Sequence, residues 1–330
     1  MTRTHKPLRI GSRGSELALW QAQYVASMLR QRFPGLDVSV HIIKTKGDKV
    51  LDAPLSKIGD KGLFTREIEN ALIFGEIDIA VHSLKDLSTE LPQGLSLGAV
   101  PEREDVRDVF VPHLRNPVKS LLDQPEHAAI ATGSLRRQSQ LLHLRPDFRI
   151  QDIRGNLSTR MRKLDHSDWA GMILARAGLV RLGWEERIGE NLDPQLFLPA
   201  VGQGALGIEV RLSDKVVREL VVQLHHEPTA HATAAERALL QTLEGGCQIP
   251  IGAHGRIAWA EDGKEILVLS AFVGSIDGKR AFHGTVQGVP SAAEELGRGL
   301  AHKLVADGAD SILQEIRALA PKGGDKTTGP

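Results

Sequence analysis

The first 105 residues alternate short apolar runs with longer stretches of helical periodicity. Runs such as "LRI", "VSVHIIKT" and "IDIAVHS" have the length and the flanking turn residues of strands. Residues 16–33 carry apolar side chains at helical spacing, and Ser15 stands in front of them as a natural N-cap. Strands that alternate with helices in this way predict a parallel sheet covered on both faces.

A second unit repeats this pattern. The stretches "AAIATGS", "FRIQDIRGN" and "GMILA" contain strand-like runs, and each is followed by a helix-like stretch. Residues 198–211, "LPAVGQGALGIEVR", then place three glycines after a proline and end as a strand. Because glycine tolerates the dihedral angles that a hinge requires, this stretch predicts a crossover or hinge between the two units.

From about residue 227 the pattern changes. "PTAHATAAERALLQTLEGG" predicts an alanine-rich helix with proline near its start and glycine at its end. Three runs typical of a small antiparallel sheet follow, and a final helix is predicted over about 291–318. The sequence therefore predicts two α/β units and a smaller α+β unit.

The composition restricts the classes of function. Lysine plus arginine and aspartate plus glutamate both total 41, so the formal net charge is zero, and only 4% of the residues are aromatic. A general binder of nucleic acid or of membrane surfaces usually has an excess of positive charge. We therefore expect no nucleic-acid or membrane partner, and any basic site has to be local.

The expected compartment is the cytoplasm. No apolar run reaches the length of a signal-peptide core or of a membrane span. The single cysteine cannot form an internal disulfide, which fits a reducing compartment. The polar, glycine-rich tail at 321–330 is expected to be frayed.

The single cysteine, Cys247, lies in "EGGCQIPIGA" at the end of a predicted helix. The C-terminal end of a helix dipole raises the pKa of a thiol, which does not suit a conventional nucleophile. A buried, inert cysteine is one interpretation. The other is a covalent anchor, because a Gly-Gly loop leaves room for a bulky group and a permanently alkylated thiol needs no low pKa.

Arginines concentrate between residues 136 and 163, where only Asp147 and Asp152 oppose them. Several follow a strand directly, at or near the start of a helix, and Arg13 has a similar place in "GSRGS". Such junctions favour anions, and arginine binds carboxylates or phosphates with two parallel hydrogen bonds. We prefer a polyanion site to a solvated charged face, and Lys57 and Lys61 could extend it.

Asp86 lies in "VHSLKDL", directly after an apolar strand. An aspartate there can serve only as a cap or turn former. In a site lined by arginines, however, a carboxylate suits a substrate that is anionic at its rim and becomes cationic at its reacting centre.

These features together resemble the porphobilinogen deaminase family, also called hydroxymethylbilane synthases. Seven stretches match in the family's order over about residues 8–253: "RGSELALWQA", "KGDKVLDAPLSKIGDKGLFTREIE", "DIAVHSLKDL", "GSLRRQSQL", "RGNLSTR", "LPAVGQGALGIE" and "LEGGCQIPIGA". The resemblance implies two doubly wound α/β domains similar to type II periplasmic binding proteins, plus an α+β domain with a three-stranded antiparallel sheet. The implied boundaries are 1–105 with 200–222, then 106–199, then 223–320, with the tail at 321–330.

The resemblance also implies the reaction. Cys247 would carry a dipyrromethane cofactor through a thioether, as the primer of a transferase in heme and tetrapyrrole biosynthesis. Four porphobilinogens would be added one at a time, each losing ammonia, before the linear tetrapyrrole is hydrolysed off. The resemblance implies a monomer that passes its product to the next enzyme of the pathway, and no metal.

The implied site residues fall into three groups. Asp86 would contact pyrrole N–H groups and stabilise the cation formed when ammonia leaves. The cofactor would be bound by Cys247, Ser83, Lys85, Asp86, Thr132, Ser134, Arg136, Arg137 and Arg154. The substrate would be bound by Arg13, Ser15, Lys57, Lys61, Arg154, Arg160, Arg181 and, at the hinge side of the cleft, Gln203. Two positions depart from the family pattern: Gly133 offers no hydroxyl, and Arg176 either contacts a carboxylate or faces solvent.

Three other functions compete with this one. A non-catalytic anion-binding protein of the periplasmic type would have no use for Cys247. A cysteine hydrolase or acyltransferase would need a thiol of low pKa. An RNA binder that uses residues 136–163 would bind oligonucleotides with a steep salt dependence, and the zero net charge counts against it.

Overall fold

The computed structural model describes residues 7–49, 65–243 and 249–319. Within these ranges the chain forms two five-stranded sheets and one three-stranded sheet. None of the helices described there is long and apolar enough to cross a membrane. The predicted mixture of two α/β units and a C-terminal antiparallel sheet is confirmed. The exact domain boundaries stay a prediction.

The first sheet has the strand order β2-β1-β3-β10-β4. Its strands are β1 (Leu8–Ser12), β2 (Val38–Ile42), β3 (Ile79–Ser83), β4 (Leu95–Ala99) and β10 (Leu206–Arg211). Strand β1 runs parallel to β2 and β3, whereas β10 is antiparallel to both β3 and β4. The prediction of a purely parallel sheet is therefore wrong, because the chain enters this sheet again from the hinge side.

Among the described residues, four helices accompany this sheet: α1 (Glu16–Arg32), α2 (Lys46–Lys49), α3 (Arg66–Ile73) and α7 (Lys215–Val221). Ser15 caps α1 as predicted, since its side chain accepts a hydrogen bond from the backbone N–H of Ala18 at 3.4 Å. The apolar face of α1 buries Val25 and Leu29 completely in the core with strands of the sheet. This packing fixes the loop between β1 and α1 at the edge of the sheet.

The second sheet has the order β7-β6-β8-β5-β9. Its strands are β5 (Asp108–Pro112), β6 (Ala129–Ala131), β7 (Arg149–Gln151), β8 (Gly171–Ala175) and β9 (Glu190–Asn191). Its helices are α4 (Leu135–Leu144), α5 (Leu157–Asp165) and α6 (Arg176–Arg181). Strand β6 is parallel to β7 and β8, and β5 is antiparallel to β8 and β9, so this sheet is also mixed.

The third sheet is an antiparallel meander of β11 (Ile251–Trp259), β12 (Glu265–Gly274) and β13 (Ala281–Gly288). It packs with α8 (Glu227–Thr242), α9 (Ala293–Leu304) and α10 (Asp310–Leu319) around one core. The single helix predicted over 291–318 is wrong. Gly308 has a φ of +110°, which helical backbone cannot adopt, and the chain turns there between α9 and α10.

Two segments, 103–107 and 200–205, cross side by side between the α/β units. The N–H of Glu104 donates to the carbonyl of Gly204 at 3.3 Å. Gly202 and Gly204 have φ values of +71° and +85°, and a side chain on Gly204 would collide with the carbonyl oxygen of Glu104. The predicted hinge glycines are thus required by backbone conformation and by close approach.

The third unit holds both crossing segments through one buried carboxylate, Glu236 of α8. Its oxygens accept from the Arg103 guanidinium at 2.7 and 3.1 Å. They also accept from the backbone N–H groups of Gly202 at 2.7 Å and Gly255 at 2.8 Å. Glu236 therefore ties the crossing segments to the helix that leads towards the cysteine loop.

Candidate active site

A cavity of about 770 Å³ lies between the two α/β units, where the carboxyl ends of strands from both sheets meet. Ligands of open α/β sheets bind at this edge because the loops between strands and helices converge there. Nine of the predicted site residues line the cavity, and eight of them are Arg13, Ser15, Ser83, Lys85, Asp86, Arg137, Arg154 and Arg160. Arg181 lines it as well, from α6.

Asp86 ends a short 3-10 turn, Leu84–Asp86, that follows β3. Leu84 is buried, and its N–H donates to the carbonyl of Ala205 at 3.0 Å, which anchors the turn to the crossing segment. The Asp86 side chain is exposed towards the cavity. In the described part of the chain, no hydrogen bond or ion pair engages its carboxylate. Asp86 is therefore held by its backbone and is open to a ligand.

The cations around Asp86 are close enough to repel one another. Burial, together with the charges of Arg137 and Arg154, lowers the pKa of Arg160 to about 10. Burial also lowers the pKa of Lys85 to about 8, although the charge of Asp86 opposes this. A bound carboxylate would relieve this repulsion, so the cavity is electrostatically prepared for an anion with several negative groups.

Arg136 and Arg137 converge on Asp108, a carboxylate that the sequence interpretation missed. Arg137 donates to one oxygen of Asp108 at 2.7 and 3.1 Å, and Arg136 lies 2.7 Å from the other. Burial would raise the pKa of Asp108, but the two guanidinium charges hold it far below its ordinary value. Asp108 begins β5, which was not recognised as a strand, and this is why it was not linked to the arginines.

The remaining predicted residues lie near the cavity or form part of its support. Thr132 is buried, and its hydroxyl accepts a hydrogen bond from the backbone N–H of Ser134 at 3.2 Å. Gly133, which lies between these two residues in the sequence, lines the cavity. Gln203 donates to Asp108 at 3.0 Å and accepts from Lys85 at 3.4 Å. Thr132, Ser134, Arg136 and Gln203 do not line the cavity directly. Lys57, Lys61 and Cys247 lie outside the described residues.

Both departures from the family pattern have a structural explanation. The guanidinium of Arg176 lies 3.0 Å from Asp105 in the crossing segment, so it contacts a carboxylate of the protein. A side chain on Gly133 would collide with the carbonyl oxygen of Ile153, so this position requires glycine.

Within the described ranges, no cluster of three or more His, Cys, Asp or Glu residues could hold a metal ion.

The two units also meet at the mouth of the cavity. Glu16, in the first turn of α1, accepts a hydrogen bond from the hydroxyl of Ser158 at the start of α5. The Arg181 guanidinium lies 5.7 Å from the centre of the Trp20 ring and donates to the carbonyl of Gly204 at 2.6 Å. The sequence interpretation missed the contact between Glu16 and Ser158, because only the packing of the two units brings them together.

The lowered pKa of Lys85 gives a testable dependence of stability on pH. Lysine has a pKa near 10.4 in an unfolded chain, so between about pH 8 and pH 10 the unfolded state binds more protons than the folded state. Stability should therefore rise with pH across this window and stay level, for this group, below it. Lys85→Met should remove that slope in urea denaturation series of the Cys247→Ser protein. The exposed Lys303→Met is the matched control, and an unchanged slope in Lys85→Met would contradict the assignment.

The fold and the cavity define a class of protein in which two α/β units enclose a cleft lined by several arginines, with the carboxylate of Asp86 among them. The chain belongs to the porphobilinogen deaminase family. Residues 8–219 match the family model described as porphobilinogen deaminase, dipyromethane cofactor binding domain, and residues 230–306 match the porphobilinogen deaminase C-terminal domain. The family predicted from the seven sequence stretches is thereby confirmed, and so is dipyrromethane as the family's cofactor.

Curated relatives agree with the family assignment. The chain is 50% identical to porphobilinogen deaminase of Geobacter metallireducens, over 94% of this chain and 95% of that protein. It is 52% identical to porphobilinogen deaminase of Chloroherpeton thalassium, over 94% and 98% of the two chains. Among solved structures, the chain is similar to a periplasmic binding protein of Salmonella typhimurium with high arginine specificity. The match covers 68% of this chain and 94% of that protein, with 14% identity and a TM-score of 0.38.

Proposed function

We propose that this protein is a hydroxymethylbilane synthase. It joins four porphobilinogen molecules head to tail on a dipyrromethane primer attached to Cys247, and it then hydrolyses off the linear tetrapyrrole. The observation that carries the proposal is Asp86, whose carboxylate lines the same cleft as several arginines and Lys85 and forms no ion pair among the described residues. The non-catalytic anion-binding alternative is not supported, because the family and the curated relatives are deaminases.

The residues of the cleft fit a dipyrromethane. Two pyrrole rings bring four carboxylates, and the cavity presents Arg137, Arg154, Arg160 and Lys85 around Asp86. Burial is the main cause of the lowered pKa values of Arg160 and Lys85, and a bound carboxylate would stabilise the charged forms of both side chains. The primer would supply the free pyrrole carbon to which the first substrate unit is joined, and each later unit would be joined to the unit before it.

The proposed roles divide the carboxylate-binding residues between the primer and the incoming substrate. For the primer carboxylates we propose Ser83, Lys85, Thr132, Ser134, Arg136, Arg137 and Arg154. For the carboxylates of the incoming substrate we propose Arg13, Ser15, Lys57, Lys61, Arg154, Arg160, Arg181 and Gln203. Arg136 and Gln203 already bind Asp108, so they also hold Arg137 and Lys85 in place.

Asp86 acts on the substrate. When the carbon–nitrogen bond of porphobilinogen breaks, ammonia leaves with the bonding electrons and positive charge develops on the methylene carbon and its pyrrole ring. A carboxylate near that ring stabilises this charge, and it can accept a hydrogen bond from the pyrrole N–H. A carbon–carbon bond then forms between this methylene carbon and the free ring carbon of the chain being extended, and that ring carbon loses its proton. In the final hydrolysis, the bond between the primer's ring carbon and the first methylene carbon would break, with the hydroxyl of water added to the methylene carbon and a proton to the ring carbon.

Three finer points belong to the same proposal. The enzyme acts in the cytoplasm as a monomer, and its unstable linear product passes to the next enzyme of tetrapyrrole synthesis. The chain divides into domains at 1–105 with 200–222, at 106–199 and at 223–320. The course of β10, which follows the crossing segment back into the first sheet, supports the first of these boundaries.

The decisive test is the intact mass of the purified chain under denaturing conditions, measured beside Cys247→Ser. The wild-type chain should carry a surplus equal to two linked pyrrole units, and Cys247→Ser should lack it, because a hydroxyl does not replace the thiolate as the attacking group. A bare wild-type mass would be followed by incubation with porphobilinogen and a second measurement. A mass that still does not change would contradict the covalent primer and the proposed function.

A further inference from the structure

A second cavity, of about 290 Å³, lies on the other side of the turn that carries Asp86. It is enclosed by α8 of the third unit and by the chain between Thr89 and Val100 of the first unit. It shares no lining residue with the arginine-lined cleft. Its volume is at the lower end of the range for ligand pockets in proteins, so it suits only a small ligand.

The cavity is lined by apolar side chains together with polar ones, among them Arg237, Glu294 and His225. Leu97 and Val100 form one wall and the alanines of α8, among them Ala234 and Ala238, form the other. Arg237 of α8 supplies the cation. An apolar surface beside an arginine is typical of sites that orient a small amphipathic ligand.

Arg237 has no acidic partner. Its guanidinium donates to two backbone carbonyls, of Leu87 at 3.1 Å and of Ser88 at 2.6 Å. Among the residues of the described ranges, no carboxylate lies within 4.0 Å of it. Burial lowers the pKa of Arg237, and the charge of Glu209 opposes this without an ion pair, since Glu209 is bound by His82.

A guanidinium has five N–H donors, and the two carbonyls leave several of them for a ligand. A buried or half-buried cation without a counter-ion lowers stability, and a carboxylate that binds it recovers that free energy. The rim is acidic: Glu294 lies at it, and Gln241 holds Glu90 beside it at 3.4 Å. These carboxylates would repel an anion of several charges, so the cavity selects against the polycarboxylates that suit the main cleft.

We propose that this cavity is a binding site for a small monocarboxylate with an apolar body. The carboxylate binds Arg237, and the apolar body packs between Leu97 and the alanines of α8. Because Arg237 holds the carbonyls of Leu87 and Ser88, the occupant lies directly behind the turn that ends at Asp86. The site is independent of the proposed transferase reaction, and its occupant is neither substrate nor primer.

Sodium benzoate is a suitable probe, with benzamide as its uncharged counterpart. In isothermal titration of the full-length protein, benzoate should bind with a dissociation constant on the order of 1 mM or tighter, and benzamide at least about tenfold more weakly. Arg237→Met should weaken benzoate at least about tenfold, because the charge-assisted hydrogen bonds are lost. The exposed Arg256→Met is the matched control and should bind as the wild type does.

A second variant tests the cavity itself. Ala234→Leu fills the apolar wall and should abolish benzoate binding while Arg237 is kept. Arg154→Leu, in the main cleft, should leave benzoate binding unchanged. Binding that survives both Arg237→Met and Ala234→Leu, or that is lost in Arg154→Leu, would place benzoate in the main cleft and overturn the proposal. Failure of benzoate to bind the wild-type protein at 10 mM, roughly tenfold above that constant, would overturn it as well.

Discussion

Asp86→Asn is expected to lower kcat by about 10² to 10³-fold and to leave the fold and the bound primer unchanged. The amide has the shape of the carboxylate but lacks its charge. A carboxylate about 4 Å from a developing positive charge contributes about 4 kcal/mol at an effective dielectric constant near 20, which corresponds to about 10³ in rate. The predicted loss is therefore one of transition-state stabilisation.

This variant is informative because the Asp86 side chain makes no structural contact in the described part of the chain. Its carboxylate is exposed and engages no other residue there, so the substitution breaks no contact. The rate of ammonia release, the intact mass and the thermal midpoint should be measured together. Asp123→Asn, an exposed carboxylate outside the cavity, should match the wild type in all three. Turnover close to wild type in Asp86→Asn would exclude Asp86 from the chemistry, and loss of the primer mass would assign it to binding instead.

Local sequence patterns predicted many elements of the fold, although β5 was missed and the helix predicted over 291–318 is two helices. The helix-like stretch that follows "AAIATGS" is α4 (Leu135–Leu144), and the cap at Ser15 is present. Both depend on interactions within a few residues, which periodicity and capping preferences describe directly. The direction of β10 could not be predicted in this way, because it depends on the path of the chain through the second unit.

In the site, too, local patterns predicted some residues, whereas others depend on how distant parts of the chain pack together. Residues that follow strands at the sheet edge were identified, because the carboxyl ends of the strands converge on one place. Their buried partners were not. Asp108 and Glu236 are each separated by tens of residues from the arginines that they bind, and both are fully buried. No local pattern marks a carboxylate that is buried with its partner, so only the packed structure reveals it.

The cleft thus depends on two kinds of charge. Arg160 and Lys85 line the cavity and form no ion pair among the described residues. Arg136 and Arg137 instead share the single carboxylate of Asp108, and Arg137 lines the cavity as well. Without Asp108 the floor of the cleft would add two more unpaired cations to a region where like charges already lower the pKa of Arg160. A bound polycarboxylate can balance the charges of the unpaired cavity cations only if Asp108 keeps Arg136 and Arg137 in place.

Asp108→Asn is therefore expected to destabilise the protein strongly, by about 3–5 kcal/mol in free energy of unfolding at pH 7. The Asp108 side chain is fully buried, and only 4% of the Arg136 side chain and 7% of the Arg137 side chain are exposed. The amide would leave these two charges buried without a counter-charge, although Gln203 and the guanidiniums could still make some hydrogen bonds. Urea denaturation should detect the change directly.

The dependence on pH gives an independent check of this prediction. The folded-state pKa of Asp108 is held far below its ordinary value, so its contribution is complete above about pH 4 and is lost as the pH falls towards the folded-state pKa. Wild-type stability should thus decrease more steeply below about pH 4 than that of Asp108→Asn. Asp105→Asn removes a carboxylate that binds Arg107 and Arg176 near the surface, where 22% of the Asp105 side chain is exposed, and it should cost only about 0–1 kcal/mol. If Asp108→Asn cost no more than this control, the buried group of charges would not be what holds the floor of the cleft.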